Sequence, residues 1–156
     1  GLGTAEALRH PRRDAVPFES ELKFMATLHD DPQRQQRVIY LKGAVETVLS
    51  RCDNSLDAAG QLVPLDREAV HRQATRMSGA GLRVLAFARR FVPDHTGTLG
   101  HGDVASGLTF LGLQAMLDPP RPEAIAAVRQ CQEAGIAVKM ITGDHVLTAL
   151  AIAHQL

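Results

Sequence analysis

A chain of 156 residues, 45% of them hydrophobic, can bury the core of one ordinary domain, or of one domain and a piece of a second. Its 17 basic and 17 acidic residues balance, and aromatics make up only 4%; a nucleic-acid binder would show a basic excess and stacking rings. No apolar run nears the roughly 18 residues needed to cross a bilayer, no secretory leader is legible, and the seven histidines show no zinc-site spacing. Cys52 and Cys131 are far apart and read as reduced thiols.

The chain opens at Gly1 without an initiator methionine, which reads as a cut from something longer. Thr4 can cap a short helix, and Pro11 and Pro17 bracket a polar connection. From Lys23 to His29 the apolar residues alternate, with Phe24, Ala26 and Leu28 on one face of a half-buried strand. Asp30-Asp31-Pro32 signals a turn, and Arg37 to Lys42 is a second strand, so an antiparallel hairpin is expected. Val45, Val48 and Leu49 then recur at helical spacing. A longer helix follows Pro64 and Asp66, with Val70, Ala74 and Met77 on one face, and stops at Gly79-Ala80-Gly81. Leu82 to Arg89 is a strand, residues 93–107 a polar Gly-rich loop, and Leu108 to Met116 another strand.

At Asp118-Pro119-Pro120-Arg121-Pro122 the three prolines fix φ and remove donors, making a stiff elbow. Helix (Glu123 to Ala134), strand (Ile136 to Ile141) and helix (from His145) follow. With strand 108–116 this reads as a parallel β-α-β-α run. The expected fold is therefore α/β (α+β): an antiparallel sheet with flanking helices in residues 1–117, then a hinge and a partial parallel segment in 118–156.

Four segments, taken in order, resemble the cytoplasmic headpiece of the P-type cation-transporting ATPases. Pro17-Phe18-Glu19-Ser20-Glu21-Leu22-Lys23-Phe24-Met25 looks like that family's adenine-pocket strand. Lys42-Gly43-Ala44-Val45-Glu46 is similar to its Lys-Gly-Ala-Pro-Glu element, with Val45 in place of proline. Gly81-Leu82-Arg83-Val84-Leu85-Ala86 resembles the strand whose arginine meets the ribose and phosphate end of ATP. The Asp118 to Arg121 elbow, with Met140-Ile141-Thr142-Gly143-Asp144 one helix later, resembles the hinge and phosphoryl loop. The partial parallel segment would then be haloacid-dehalogenase-like. The style of the Phe18 segment leans toward the type II calcium and sodium/potassium branch.

The resemblance implies roles. Phe18 would stack on adenine, with Lys23 and Met25 lining the site; Lys42 would reach into the pocket, and Gly43 would let backbone approach the base. Arg83 would clamp phosphate oxygens with its planar fork. Thr142 and Gly143 would bond the transferring phosphoryl group and Asp144 would position the nucleotide, and Asp118 and Arg121, at the hinge, would also be nucleotide-binding residues. ATP is the implied cofactor, with Mg2+ although no magnesium ligand is identified in this sequence. The implied partners are the other domains of the same polypeptide, with the membrane reached only through helices not in this chain. The setting is the cytoplasmic side of an integral membrane pump, and the truncated second part could dimerise or swap.

Two features depart from the family. Where its amino-terminal helix start has glutamate after threonine, this chain has Ala5, and Glu6 lies one place on, about 100° around a helix. Asp94-His95-Thr96-Gly97-Thr98-Leu99 imitates the phosphorylation sequence Asp-Lys-Thr-Gly-Thr-Leu. It lacks the lysine, follows no buried apolar strand and stands at the wrong place in chain order, so it reads as a loop. The nucleophilic aspartate and the Gly-Asp-Gly-x-Asn-Asp element are then not in this sequence, and the isolated piece is not expected to turn over. The other classes considered are a non-catalytic nucleotide sensor or interaction module, and a free-standing phosphatase. The phosphatase would need an Asp-x-Asp motif early in the chain, and none is found.

Overall fold

The computed structural model describes residues 9–116, 120–142 and 146–155. Seven strands form one mixed sheet: β1 (Arg12–Glu19), β2 (Phe24–Asp31), β3 (Gln36–Gly43), β4 (Cys52–Leu56), β5 (Leu62–Pro64), β6 (Arg83–Val92) and β7 (Leu108–Met116). Their order is β1-β2-β3-β6-β7-β4-β5. The helices among the described residues are α1 (Val45–Leu49), α2 (Arg67–Gly79), α3 (Pro122–Glu133) and α4 (Val146–Ala153), with a 3-10 turn at His101–Val104. The expected mixed α/β class is what the chain adopts. None of the described helices is long and apolar enough to cross a membrane.

The chain divides into two compact units, one holding the residues up to Arg67 with Leu85–Gln114, the other Glu68–Val84 with the residues from Ala115 on. In the first unit the alternation of β2 and β3 builds the core. Phe24, Ala26, Leu28, Ile39 and Leu41 are each at most 1% exposed, and Val48, Leu49, Cys52, Val104 and Leu108 join them. Full burial of each Phe, Leu, Ile or Val side chain among them contributes about 1.5–3 kcal/mol. Burial also pushes the Cys52 thiol up to about 11, so it remains protonated; both cysteines are free.

The hairpin expected between Lys23 and Lys42 is present, with Met25 opposite Lys42 and Thr27 opposite Tyr40. The polar connection expected between Pro11 and Pro17 is instead strand β1, paired antiparallel with β2. β1 is an edge strand whose one buried residue is Val16, so it carries no apolar alternation. An edge also tolerates the missing donor of Pro17.

Carboxylates tie the 93–107 loop to the sheet. Asp14 accepts the Leu99 N–H and the Ala15 N–H, both at 2.8 Å. Asp30 accepts from Arg13 at 2.7 Å and from Arg37 at 3.1 Å, and Arg37 also donates to the Thr96 carbonyl. The Leu99 amide, then the Ala15 amide, hold the Asp14 carboxyl below its ordinary range. The Arg13 guanidinium does most to lower that of Asp30. A depressed carboxylate stabilises the fold above its unfolded pKa of about 3.9, and that contribution is lost as pH falls through the lower folded value. Asp30→Asn should therefore melt below the wild type at pH 7, and the gap should close as pH drops below about 4. A gap constant from pH 7 to pH 2.5 in thermal melts would contradict the ion-pair origin.

In the second unit, α2 ends as expected. Gly81 sits at φ +78°, the Leu82 N–H reaches the Met77 carbonyl and the Gly81 N–H that of Ser78, a glycine-requiring stop. A Cβ on Gly81 would also stand 3.0 Å from the Ala151 side chain of α4.

The expected parallel β-α-β-α run is not formed. β7 belongs to the seven-stranded sheet and takes β4 as its parallel partner. Helix α3 is present, but the described residues of 136–142 contain no strand. Ile136, Val138, Met140 and Ile141 are exposed, Ile141 to 98%, and α3 buries none of its residues. A parallel strand is stable only between neighbours with both faces covered, and none pairs with this segment among the described residues.

Candidate functional site

Strand alternation places Met25 and Thr27 of β2 and Tyr40 and Lys42 of β3 on the sheet face opposite the core. The register then makes rows: Met25, Lys42 and Phe87 are successive cross-strand neighbours, as are Thr27, Tyr40 and Arg89. These rows floor a cavity of about 230 Å3, lined by the side chains of Met25, Thr27, Tyr40, Lys42 and Phe87, with Leu111 of β7. Its walls are mainly apolar; the polar side-chain groups are the Lys42 ammonium and the hydroxyls of Thr27 and Tyr40. Such a slot suits a flat, weakly polar ring with acceptor atoms, since the ammonium only donates and the hydroxyls do both.

Of the residues singled out in the sequence, Met25 and Lys42 come together here. Lys23 is exposed in the β1–β2 turn, with φ +58°. Phe18, at the end of β1, is 59% exposed, so it is not a core residue, and it does not line the cavity. Gly43 permits a close approach, but of protein backbone: a Cβ there would lie 2.4 Å from the Lys23 carbonyl oxygen. That same oxygen accepts the Ala44 N–H at 2.9 Å.

Arg83, at the start of β6, and Arg121, preceding α3, belong to the second unit and are exposed, as is Thr142. Asp118, Gly143 and Asp144 lie outside the described residues. Thr27, Tyr40, Phe87 and Leu111 escaped the sequence reading. Period-two alternation from Met25 and Lys42 would have found Thr27 and Tyr40.

A second, open depression at the β2–β3 turn is lined by Asp30, Asp31, Gln36, Arg37 and Asp94, among others. Asp94, of the imitation phosphorylation sequence, is highly exposed in a turn after β6, a strand antiparallel to β3. Nothing there is arranged as a nucleophile at the end of a buried parallel strand. Among the described residues no group of three or more His, Cys, Asp or Glu side chains could hold a metal ion.

The family described as P-type ATPase, cytoplasmic domain N, matches residues 4–123 of this chain. The cation-transporting ATPase pma1 of Synechocystis is 53% identical over 96% of the chain and 16% of its own length. The probable cation-transporting ATPase F of Mycobacterium tuberculosis is 46% identical over 93% of the chain and 16% of its own length. The sodium/potassium-transporting ATPase subunit alpha-2 of Gallus gallus is 38% identical over 93% of the chain and 15% of its own length. The chain spans about one sixth of the length of these relatives.

Proposed function

Since the chain belongs to the P-type cation-transporting ATPases, we propose that it is the ATP-binding part of such a pump, with the adenine held against the sheet face where Met25 meets Lys42. The observation that carries this reading is the cavity itself: an apolar slot with one lysine, built on cross-strand neighbours. Lys42 donates to a ring nitrogen, and Met25 and Phe87 line the slot that the ring enters. By family resemblance Phe18, an exposed ring at the end of β1 outside that lining, stacks on the part of the base left outside the slot, for about 1–3 kcal/mol, and Lys23 adds positive charge.

Family resemblance alone gives Arg83 the phosphate end and Asp118 and Arg121 the nucleotide-side hinge. It gives Thr142 and Gly143 the phosphoryl group and Asp144 the positioning of the nucleotide. ATP arrives as its Mg2+ complex. In the parent protein, phosphoryl transfer to an aspartate elsewhere in the polypeptide drives a cation across the membrane, most of the catalysis being positioning and charge neutralisation. This chain works on the cytoplasmic side of that membrane, and the parent is nearest the type II branch.

Residues 1–117 form the nucleotide-binding domain in this reading, and 118–156 the hinge and part of the phosphorylation domain. The unpaired apolar segment 136–141 becomes a parallel strand when the rest of the parent supplies its neighbours. In the isolated chain it is a route to self-association.

One stacked base and one or two charged hydrogen bonds, at about 1.5–3 kcal/mol each, barely exceed an association cost of about 4 kcal/mol or more. The expected dissociation constant for ATP is therefore about 0.1–5 mM. Lys42→Ala should raise it roughly tenfold, and Phe18→Ala should raise it fivefold or more, on the order of one stacking contact. Both are measurable by amide-shift titration. ATP-induced shifts that leave the amides of Met25 and Lys42 unmoved would overturn the reading.

A further inference from the structure

We propose that Tyr40 is a base-positioning residue of this site, closing the end of the cavity beyond Lys42 and holding the polar edge of the purine. The proposal rests on the adenine reading above and adds to it a residue that lies outside the matching motif segments.

Tyr40 is in β3, an interior strand with β2 on one side and β6 on the other, yet its side chain is 42% exposed. An aromatic ring left uncovered in mid-sheet serves no core. It lines the same cavity as Met25, Lys42 and Phe87, one row further along the sheet. The ring is already oriented: His29 meets it edge-on, with centroids 5.8 Å apart and planes at 66°. His29 is in turn held by a 2.9 Å hydrogen bond between its Nδ1 and the His10 carbonyl. A ring fixed before the ligand arrives loses little entropy on binding.

The chemistry of the cavity agrees with a base and not a whole nucleotide. About 230 Å3 is below the roughly 300–1,000 Å3 of pockets that enclose drug-sized ligands, so ribose and phosphates must remain outside. Phe87 and Leu111 offer one apolar wall, and Tyr40 with Thr27 presents two hydroxyls. Adenine's exocyclic amine donates and its ring nitrogens accept; a hydroxyl can answer either. Among the side chains lining the cavity, Lys42 adds donors only, so the two hydroxyls are the groups that can accept from the amine.

The test compares ATP with inorganic tripolyphosphate, which carries the charge without the base, on the full 156-residue chain by amide-shift titration. Tyr40→Ala should weaken ATP about fivefold or more and leave tripolyphosphate binding unchanged. Tyr40→Phe separates ring from hydroxyl and should lose less, about two- to threefold. Because the side chain is exposed, both variants should melt near the wild type. Tyr40→Leu, which keeps apolar bulk, is the control if alanine loosens the hairpin, and it should weaken ATP as alanine does.

If Tyr40→Ala binds ATP as the wild type does while Lys42→Ala is weakened, the role of Tyr40 is overturned and the adenine reading stands. Should neither variant affect ATP, both fall. Equal weakening of ATP and tripolyphosphate would reduce Tyr40 to a structural residue and also overturn the proposal.

Discussion

Gly43→Ala should destabilise the protein by about 3 kcal/mol, lowering its melting temperature by roughly 6–12 °C for a chain of this size. The added Cβ would stand 2.4 Å from the Lys23 carbonyl oxygen and 2.8 Å from the Phe24 Cβ, where no flexible side-chain end can swing away. Two well-placed interactions would have to shift. The Ala44 N–H bond to Lys23 would stretch, and the β2–β3 register would strain where Phe24 faces Gly43. Gly79→Ala is the control: a helical position with nothing within 4 Å of the new carbon. It should be neutral or stabilising by about 0.5 kcal/mol. A Gly43→Ala protein melting within 2 °C of the wild type would mean that β2 and β3 move apart freely. The same crowding would displace Lys42, so ATP should weaken in this variant beyond what stability alone explains.

That glycine shows what the chain discloses and what it hides. Lys42-Gly43-Ala44 marks the end of a strand and the start of a helix, and both are where expected. The reason for glycine is not legible, because the clashing atoms belong to Lys23 and Phe24, twenty residues earlier, and only the pairing of β2 with β3 brings them near. Strands with apolar alternation were readable: β2, β3, β6 and β7 all appear. Those without it were not. β1 exposes most of its residues at a sheet edge, and β4 carries Asp53, Asn54 and Ser55, weak strand formers that pair because β7 runs beside them.

The segment 136–141 fails in the opposite direction. Ile136, Val138, Met140 and Ile141 have the composition of a buried parallel strand, and local propensity suggested one. A strand is a property of a pair, and no described residue pairs with it. Similarly, the helix that follows strand 108–116 lets it read as the first strand of a parallel run, whereas its parallel partner lies more than fifty residues upstream. Within the site, Met25 and Lys42 were legible as motif residues and do meet. Thr27 and Tyr40 followed from the same alternation and went unread because no motif contains them. Phe87 and Leu111 needed the strand order β3-β6-β7, which local patterns do not encode.

Phe24→Ala should cost about 3–5 kcal/mol, a large share of the 5–15 kcal/mol typical of a whole domain. The ring is 1% exposed and connects three parts of the first unit. It starts β2, it takes the Arg51 guanidinium over its face at 4.6 Å, and it meets His101 edge-on at 6.2 Å. Arg51 depends on it. Nη1 of Arg51 donates to the Thr47 carbonyl at 2.8 Å, but its Nε is buried without a hydrogen-bond partner, leaving the π-face as its electrostatic complement. Deleting the ring leaves a cavity beside a charged group, and water entering to solvate Nε would offset part of the loss. Phe24→Leu, which keeps most of the volume, should cost only about 1–1.5 kcal/mol. A double-mutant cycle with Arg51→Ala should then show coupling of about 1 kcal/mol, read from urea unfolding midpoints. Additive losses would place the whole cost in the cavity and none in the cation–π contact. Since Met25 follows Phe24 directly, the alanine variant should also weaken ATP, whereas the leucine variant should bind it normally.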